Sequence, residues 1–421
     1  MLHTAVRGQD SEFRIQEIPK SDKYFCYHIG MQNKTCILAK NILFMLKSLY
    51  IRNYRNLRDF KLEALDRVNL ITGKNNTGKS SLLEAIVIYA SKGDLYEIEK
   101  IIEQHGESLQ RNDRPNTEQL NFEALSSLFT DRVVQLGTDG FISVGEKEES
   151  LFEEPPIANG SVYLRIVKYY DETRKTEDSN LFRRRVIMND DDPEKDFKLG
   201  VQIGIKGSNI EKFYSLDSSF LRRFGLNDKI LSDNFQFIKT ASIDREINGQ
   251  LFDEITLTDK ERYVIEALKI IEPKTERIAF IEKDTGRNNK RTAIIKLMDS
   301  KELYPLKSMG DGINRILTII LALVNSENGY LMIDEFENGL HYMVQEQLWR
   351  IIFKLSKELN IQVFVTTHSE DCISAFTRVL QDDNMTISGN LIRLDNIDGT
   401  IKGTSFSPSE LKIANNQDID T

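Results

Sequence analysis

The chain has 421 residues, 40% hydrophobic and 29% charged, with 23 Gly and 8 Pro. That is long enough to bury a sizeable core and is the profile of a packed globular protein rather than a disordered or fibrous one. Lys and Arg number 56 against 65 Asp and Glu, a net charge of -9, so no overall basic field draws the protein onto nucleic acid and any DNA contact must be local. Cys26, Cys36 and Cys372 form no CxxC pair and fall short of a disulfide framework, which fits a reducing cytoplasm. No stretch approaches the roughly 18 apolar residues that cross a bilayer, and the N-terminus lacks a signal-peptide pattern, so a cytoplasmic protein without a membrane contact is expected.

Residues 1–44 are polar and without clear periodicity, and read as an appended arm or an over-long start. Patterned sequence begins at Met45. Leu46 to Leu57 reads as strand and turn, Phe60 to Leu65 as a second strand, and Val68 to Thr72 as a short buried strand. A glycine-rich turn then opens a helix from Lys79 to Ala90, with Leu82, Leu83, Ile86, Val87 and Ala90 at helical spacing.

From Lys92 to Asp131 the pattern is helical but polar, and from Phe141 to Gly207 alternating stretches such as Val162 to Val167 and Leu199 to Ile205 imply an antiparallel sheet. Residues 92–250 therefore read as a large α+β insertion in a main domain spanning 45–371, with 372–421 as a short C-terminal segment. Residues 259–283 read as a helix leading into a strand, and Thr292 to Met298 as a strand. The main domain resumes at Ser308. Its remaining elements are an apolar helix from Ile313 to Val324, strand Tyr330 to Ile333, helix Met343 to Glu358 and strand Gln362 to Thr366. That alternation implies a parallel sheet.

The strongest chemical signal is Gly73-Lys-Asn-Asn-Thr-Gly-Lys-Ser80, which satisfies G-x-x-x-x-G-K-[ST]. A chain of this length matches that pattern by chance about once in fifty, and the position between a buried strand and an apolar helix improves those odds greatly. Gly73 and Gly78 permit the close backbone approach a phosphate cradle needs, Lys79 would reach the β and γ phosphates of ATP, and Ser80 would place its hydroxyl on Mg²⁺. Asn75, Asn76, Thr77 and Ser81 complete the nucleotide-binding set. Tyr330 to Ile333 delivers Asp334, a second candidate Mg²⁺ ligand, and Glu335, placed to polarise an attacking water as general base.

Two more elements decide the class. Ser308-Met-Gly-Asp-Gly312 precedes the apolar helix as a second small-residue loop at a helix N-terminus, and Val363 to His368 ends a strand in a histidine able to reach a γ-phosphate or the attacking water. This order resembles the ABC-type ATPase heads, a group that includes the SMC, Rad50 and RecF proteins. The resemblance covers residues 46 to about 371 and implies an α/β P-loop NTPase fold with a mixed, largely parallel sheet and an N-terminal antiparallel β portion. It also implies a homodimer that sandwiches ATP, with Ser308, Gly310 and Gly312 acting on the partner's nucleotide. Glu337-Asn-Gly-Leu-His341 stands at the interface-crossing loop of those heads but departs from the usual Leu-Asp ending.

The segment Asn53-Tyr-Arg-Asn56 is similar to the Asn-Phe-Arg of those heads, which makes Arg55 a nucleotide-contacting candidate. A Mg²⁺-binding glutamine is expected between residues 95 and 240, where Gln110, Gln119 and Gln135 all remain open. Residues 91–300 hold no sustained heptad pattern, which excludes a coiled-coil arm of the Rad50 or SMC kind.

The details resemble the small standalone AAA-type proteins related to OLD nucleases. The residues concerned are the start near Met45, Gly73 to Ser81, Leu251-Phe-Asp-Glu-Ile with its following helix to Ile271-Glu-Pro, and Ser308 to Gly312. Residues 372–421 are too few for the Toprim nuclease that OLD proteins append, and Asp395 and Asp398 read as turn chemistry. The arrangement is similar to the ATPase component of PARIS-type anti-phage defence systems. That resemblance implies a slow regulatory ATPase in a higher homo-oligomer, a separate Toprim-type nuclease effector and a phage-derived trigger protein. The alternative is a RecF-like repair ATPase stimulated by DNA. Its basic groove would draw on Arg183-Arg-Arg185 and Arg222-Arg223, clusters that read more simply as solvated faces.

Overall fold

The computed structural model describes residues 45–110, 116–137, 140–147, 158–175, 181–188, 196–217, 232–240, 245–283, 290–382, 388–406 and 410. Residues 1–44, with Cys26 and Cys36, lie outside them, as do Arg222 and Arg223.

The described chain is mixed α/β, as the motif order implies. Strands β1 (Leu49–Tyr54) and β2 (Leu57–Leu62) form a hairpin, and β3 (Val68–Gly73) runs into helix α1 (Lys79–Ala90). Helices α2 (Leu95–Gln104) and α3 (Thr117–Ser126) precede five strands: β4 (Phe141–Gly145), β5 (Val162–Lys175), β6 (Leu181–Ile187), β7 (Lys198–Ile205) and β8 (Glu211–Ser215). After β9 (Asn234–Ile238) come α4 (Arg245–Ile255), α5 (Glu261–Leu268) and the strands β10 (Thr275–Lys283), β11 (Lys290–Leu297) and β12 (Leu303–Pro305). The remainder alternates: α6 (Asp311–Asn325), β13 (Gly329–Ile333), α7 (Tyr342–Glu358), β14 (Gln362–Thr366), α8 (Glu370–Leu380), then β15 (Gly389–Ile397) and β16 (Thr400–Phe406).

The central sheet has the order β16-β15-β3-β14-β13-β9, parallel except for β16. Strands β3, β13 and β14 are buried along nearly their whole length, which is what helices on both faces of a parallel sheet require and why they read as continuous apolar runs. A second, antiparallel sheet runs β2-β1-β4-β5-β7-β8, with β6 on β5, and a third runs β10-β11-β12. Helix α6 buries Ile313, Ile316, Leu317, Ile319, Ile320 and Leu323, so it is apolar nearly all round and enclosed. Trp349 of α7 stacks on Phe336 with ring centroids 4.4 Å apart and meets Phe376 of α8 edge-on at 5.0 Å, which locks α7 and α8 beneath the end of β13.

Strand pairing shows how these segments join the rest of the chain. Within residues 92–250, β4, β5, β7 and β8 extend the sheet begun by β1 and β2, while β9 joins the central sheet alongside β13. In the C-terminal segment 372–421, strand β15 pairs in parallel with β3, Gly389 opposite Val68 through Leu394 opposite Gly73, and so borders the phosphate-loop strand. Both pairings join segments far apart in sequence, which local periodicity does not encode. Among the described residues no helix is long and apolar enough to cross a membrane.

Candidate functional site

Four loops converge at the carboxyl ends of the parallel strands, where open α/β sheets place their ligands. The loop after β3 is shaped by its glycines. Gly73 has φ 147°, and a Cβ there would lie 2.5 Å from the carbonyl oxygen of Leu394 on β15 and 2.8 Å from Thr77 Oγ1. Gly78 has φ 87°, and its would-be Cβ meets the Asn56 side chain at 3.0 Å. The loop is thus held between β15 and the β1–β2 turn, and Asn56 Nδ2 donates to Asn76 O at 3.4 Å. Thr77 Oγ1 donates to Lys74 O at 2.8 Å, closing the loop on itself.

Lys79 Nζ donates to the carbonyl oxygens of Gly73 (2.7 Å) and Lys74 (2.8 Å), folded back across the loop where phosphate oxygens would otherwise take its protons. Burial pushes its pKa down, while Asp334, Glu335 and Glu337 pull the other way. Ser80 Oγ lies 3.1 Å from Asp334 Oδ2 and 3.3 Å from Oδ1. Asp334 also accepts from Thr240 Oγ1 at 3.1 Å and Thr366 Oγ1 at 2.6 Å. These are hard oxygen donors gathered around one carboxylate, a set that fits Mg²⁺ held jointly with phosphate oxygens. Among the described residues no cluster of three or more His, Cys, Asp or Glu could hold a metal alone.

Glu335 follows Asp334 with φ 49°, a left-handed conformation that costs a non-glycine residue about 1–2 kcal/mol and persists because the surroundings fix it. Its amide donates to Thr366 Oγ1 at 2.9 Å, and the flanking amides of Asp334 and Phe336 donate to Ile238 O (2.8 Å) and Thr366 O (3.0 Å). Its carboxylate is gripped on both oxygens: His368 Nε2 is 3.0 Å from Oε1 and Asn338 Nδ2 is 2.7 Å from Oε2. The hydrogen bond from His368 is the main reason its pKa falls below the usual carboxylate value, with Asn338 and Thr240 adding to it against burial. An ionised carboxylate only accepts, so the Nε2 that faces it carries the proton. Glu337 accepts from Thr367 Oγ1 (2.8 Å) and from the His368 amide (2.9 Å), which fixes the loop that carries the imidazole.

The second small-residue loop lies at the start of α6. Leu306 to Met309 forms a 3₁₀ turn anchored by buried Leu306, Ser308 Oγ donates to Pro305 O at 2.7 Å, and Ser308 and Gly310 are exposed. Gly310 has φ 100°, and a Cβ there would meet nothing within 4 Å. Gly312 is different: its Cβ would sit 3.2 Å from Gly339 O, so this loop packs closely against Glu337–His341.

Arg55, the nucleotide-contacting candidate, is paired within the protein. Its Nε lies 2.9 Å from Glu84 Oε2 on α1, beside Tyr54 Oη, which itself donates to Glu84 at 2.9 Å. His105 Nε2 takes the other Glu84 oxygen at 2.8 Å. Glu84 is only 3% exposed in its side chain, and a carboxylate buried on the inner side of α1 requires a cation. Arg55 Nη2 has no hydrogen-bond partner among the described residues.

Two of the three open glutamines pair locally: Gln110 Nε2 donates to Ser108 Oγ and Gln119 Nε2 to Glu123. The residue that meets Asp334 from the strand beside β13 is Thr240, just after β9. Thr240 carried no sequence signal, whereas Thr366, Asn338 and Glu337 lay unread inside the segments Val363 to His368 and Glu337 to His341. Arg315, a charge inside the apolar run of α6, carried no reading in the sequence; it donates to the backbone oxygens of Asp334 and Glu335. Arg183 and Arg184 have side chains outside the described residues, and Arg185 Nε lies 3.7 Å from Asp171.

A strand-loop-helix phosphate cradle, an acidic pair at the end of the second strand over and a histidine at the end of the strand between them define a P-loop ATPase. The chain belongs to the family described as "AAA domain, putative AbiEii toxin, Type IV TA system", which matches residues 68–371, and it is an ATPase of that AAA type. A Helicobacter pylori protein named ATP/GTP phosphatase is 23% identical over 363 residues, 80% of this chain and 89% of its own length. The DNA replication and repair protein RecF of Caldanaerobacter subterraneus subsp. tengcongensis is 56% identical over 41 residues, 10% of this chain and 11% of that protein. Among solved structures, an SMC head bound to the C-winged helix domain of ScpA aligns over 87% of this chain and 99% of that one, at 12% identity and a TM-score of 0.45.

Proposed function

We propose that the protein is an ATP-driven switch in which two copies close around two ATP molecules and hydrolysis reopens them. The observation that carries the reading is the meeting of Ser80, Asp334, Glu335 and His368 at the carboxyl ends of the central strands, while Ser308 and Gly310 stand exposed and free to close on another copy's nucleotide.

The loop from Gly73 to Ser80, with Asn75, Asn76, Thr77 and Ser81, holds the triphosphate through backbone amides at the α1 N-terminus. Lys79 exchanges its two carbonyl partners for the β and γ phosphates. Ser80 and Asp334 hold Mg²⁺, which when bound neutralises charge developing on the phosphates. Glu335 accepts a proton from water as the water oxygen bonds to the γ-phosphorus; the bond to the bridging oxygen breaks and ADP leaves with the electron pair. His368 holds the carboxylate in place and supplies a proton donor beside the γ-phosphate. A low turnover suits a switch, and nucleotide hydrolysis accords with the name of the Helicobacter pylori relative.

The switch would act on a separate protein. The family description, which names a toxin and a toxin–antitoxin system, and the resemblance to PARIS-type ATPases both support an effector regulated by the head. We take that effector to be a Toprim-type nuclease, held by a homo-oligomer and released by a phage protein. The deciding experiment uses Glu335→Gln protein with ATP. It should run as a closed dimer on size exclusion and Ser308→Arg should abolish that dimer, while the nuclease encoded beside the gene should co-purify with the oligomer. Dimers unaffected by Ser308→Arg would sink the sandwich model.

The short segment shared with RecF favours a second reading, a DNA-stimulated repair ATPase. Duplex DNA that raised kcat severalfold would establish it; no stimulation is expected from a chain of net charge -9.

A further inference from the structure

Arg315 lies in the second turn of α6 with 1% of its surface exposed, yet its hydrogen bonds run from Nη2 to the backbone oxygens of Asp334 (3.1 Å) and Glu335 (3.0 Å). Nε has no partner among the described residues. Burying a guanidinium so incompletely paired is unfavourable, and an apolar side chain of similar volume would suit this enclosed helix better. Its charge faces the acidic turn. Burial lowers its pKa, and Asp334, Glu337 and Glu335 oppose that shift.

The receiving turn is the strained one. Glu335 keeps φ 49° while the amides of residues 334 to 336 are tied to β9 and β14 through Ile238 and Thr366. Those bonds anchor the turn to the sheet. Arg315 anchors it to α6, the helix that follows directly from Ser308 and Gly310. The carbonyls it takes belong to the two residues on which Mg²⁺ binding and water activation depend.

We propose that Arg315 is a positioning residue for ATP hydrolysis: it holds the Asp334–Glu335 turn in its left-handed form and ties the aim of the Glu335 carboxylate to the position of α6. The inference deepens the switch described above and rests on Glu335 being the general base. It makes α6 the part through which a nucleotide engaged at the Ser308 loop of one copy acts on that same copy's hydrolytic carboxylate.

The test uses the full chain with Arg315→Met and Arg315→Lys, each alone and combined with Glu335→Gln. ATP affinity is read with a fluorescent ATP analogue and hydrolysis in single turnovers. Arg315→Met should lower the hydrolysis rate at least about tenfold while the Kd for the analogue stays within about threefold. Arg315→Lys, which keeps the charge and an N–H donor, should recover part of that loss. In the Glu335→Gln background the same substitutions should cost less than about twofold, because the arginine acts through that carboxylate. An unchanged rate, equal losses of rate and affinity, or the same loss in both backgrounds would each overturn the proposal. If Arg315→Met does not fold, Arg315→Lys decides, a parental rate overturning the proposal and a lower rate at parental affinity supporting it. The general-base reading fails separately, by a parental rate in Glu335→Gln alone.

Discussion

His368 Nε2 sits 3.0 Å from Glu335 Oε1, so the histidine at the end of β14 holds the carboxylate at the end of β13. Asn338 takes the other oxygen, at 2.7 Å, from the segment that Gly312 packs against. The carboxylate is therefore oriented before any substrate arrives, which is where electrostatic preorganisation has its effect.

His368→Ala should lower kcat by about 10- to 100-fold with little change in ATP affinity, because it removes orientation rather than a binding contact. Phosphate-release kinetics alongside equilibrium nucleotide binding check this. Equal losses in both would place His368 among the binding groups.

Lys79→Ala should abolish measurable ATP binding. Its ammonium meets the carbonyls of Gly73 and Lys74. Its replacement also takes the lysine donor from the Gly73 carbonyl, while the Lys74 carbonyl keeps Thr77 Oγ1. Isothermal titration with ATP is the direct measurement, and tight binding by the variant would remove Lys79 from the phosphate site.

Trp349→Ala should cost about 3–5 kcal/mol of folding stability, the usual range for emptying a large aromatic site in a core. Trp349 is fully buried and stacks on Phe336, the residue after Glu335. Urea unfolding gives the stability loss, and kcat should fall as well, because the turn loses the ring on which it rests. A stability loss without any change in kcat would show that Phe336 holds the turn unaided.

Cys372 should resist thiol reagents in the folded protein. Burial pushes its thiol pKa up to about 12, so below that pH the proton stays on and the reactive thiolate is scarce. Peptide-resolved alkylation at pH 8 should label it only after unfolding. Rapid labelling of the native chain would mean that the α8 N-terminus opens.

The Gly73 to Ser80 loop, the Asp334–Glu335 pair and His368 were all legible because each is set by a few neighbouring residues: glycines where the backbone needs them, an apolar run for a buried strand, a polar group at its end. The roles of Thr240 and Arg315 were not. Thr240 reaches Asp334 because β9 pairs with β13, and Arg315 reaches Glu335 because α6 packs beneath that turn. The partner of Arg55 was not legible either: Glu84, on the next helix, meets it only because α1 packs against the β1–β2 turn.

The sequence alone thus determined the chemical class, since a phosphate cradle and a carboxylate at the end of a buried strand are spelled by short-range patterns whose geometry follows from backbone sterics and strand or helix period. The tertiary structure alone decided which groups surround that carboxylate, that β15 borders the phosphate loop, and that residues 92–250 share their strands between two sheets. The reason is physical: parallel neighbours are joined by long crossovers, so their identity rests on how the whole core packs and not on any local segment.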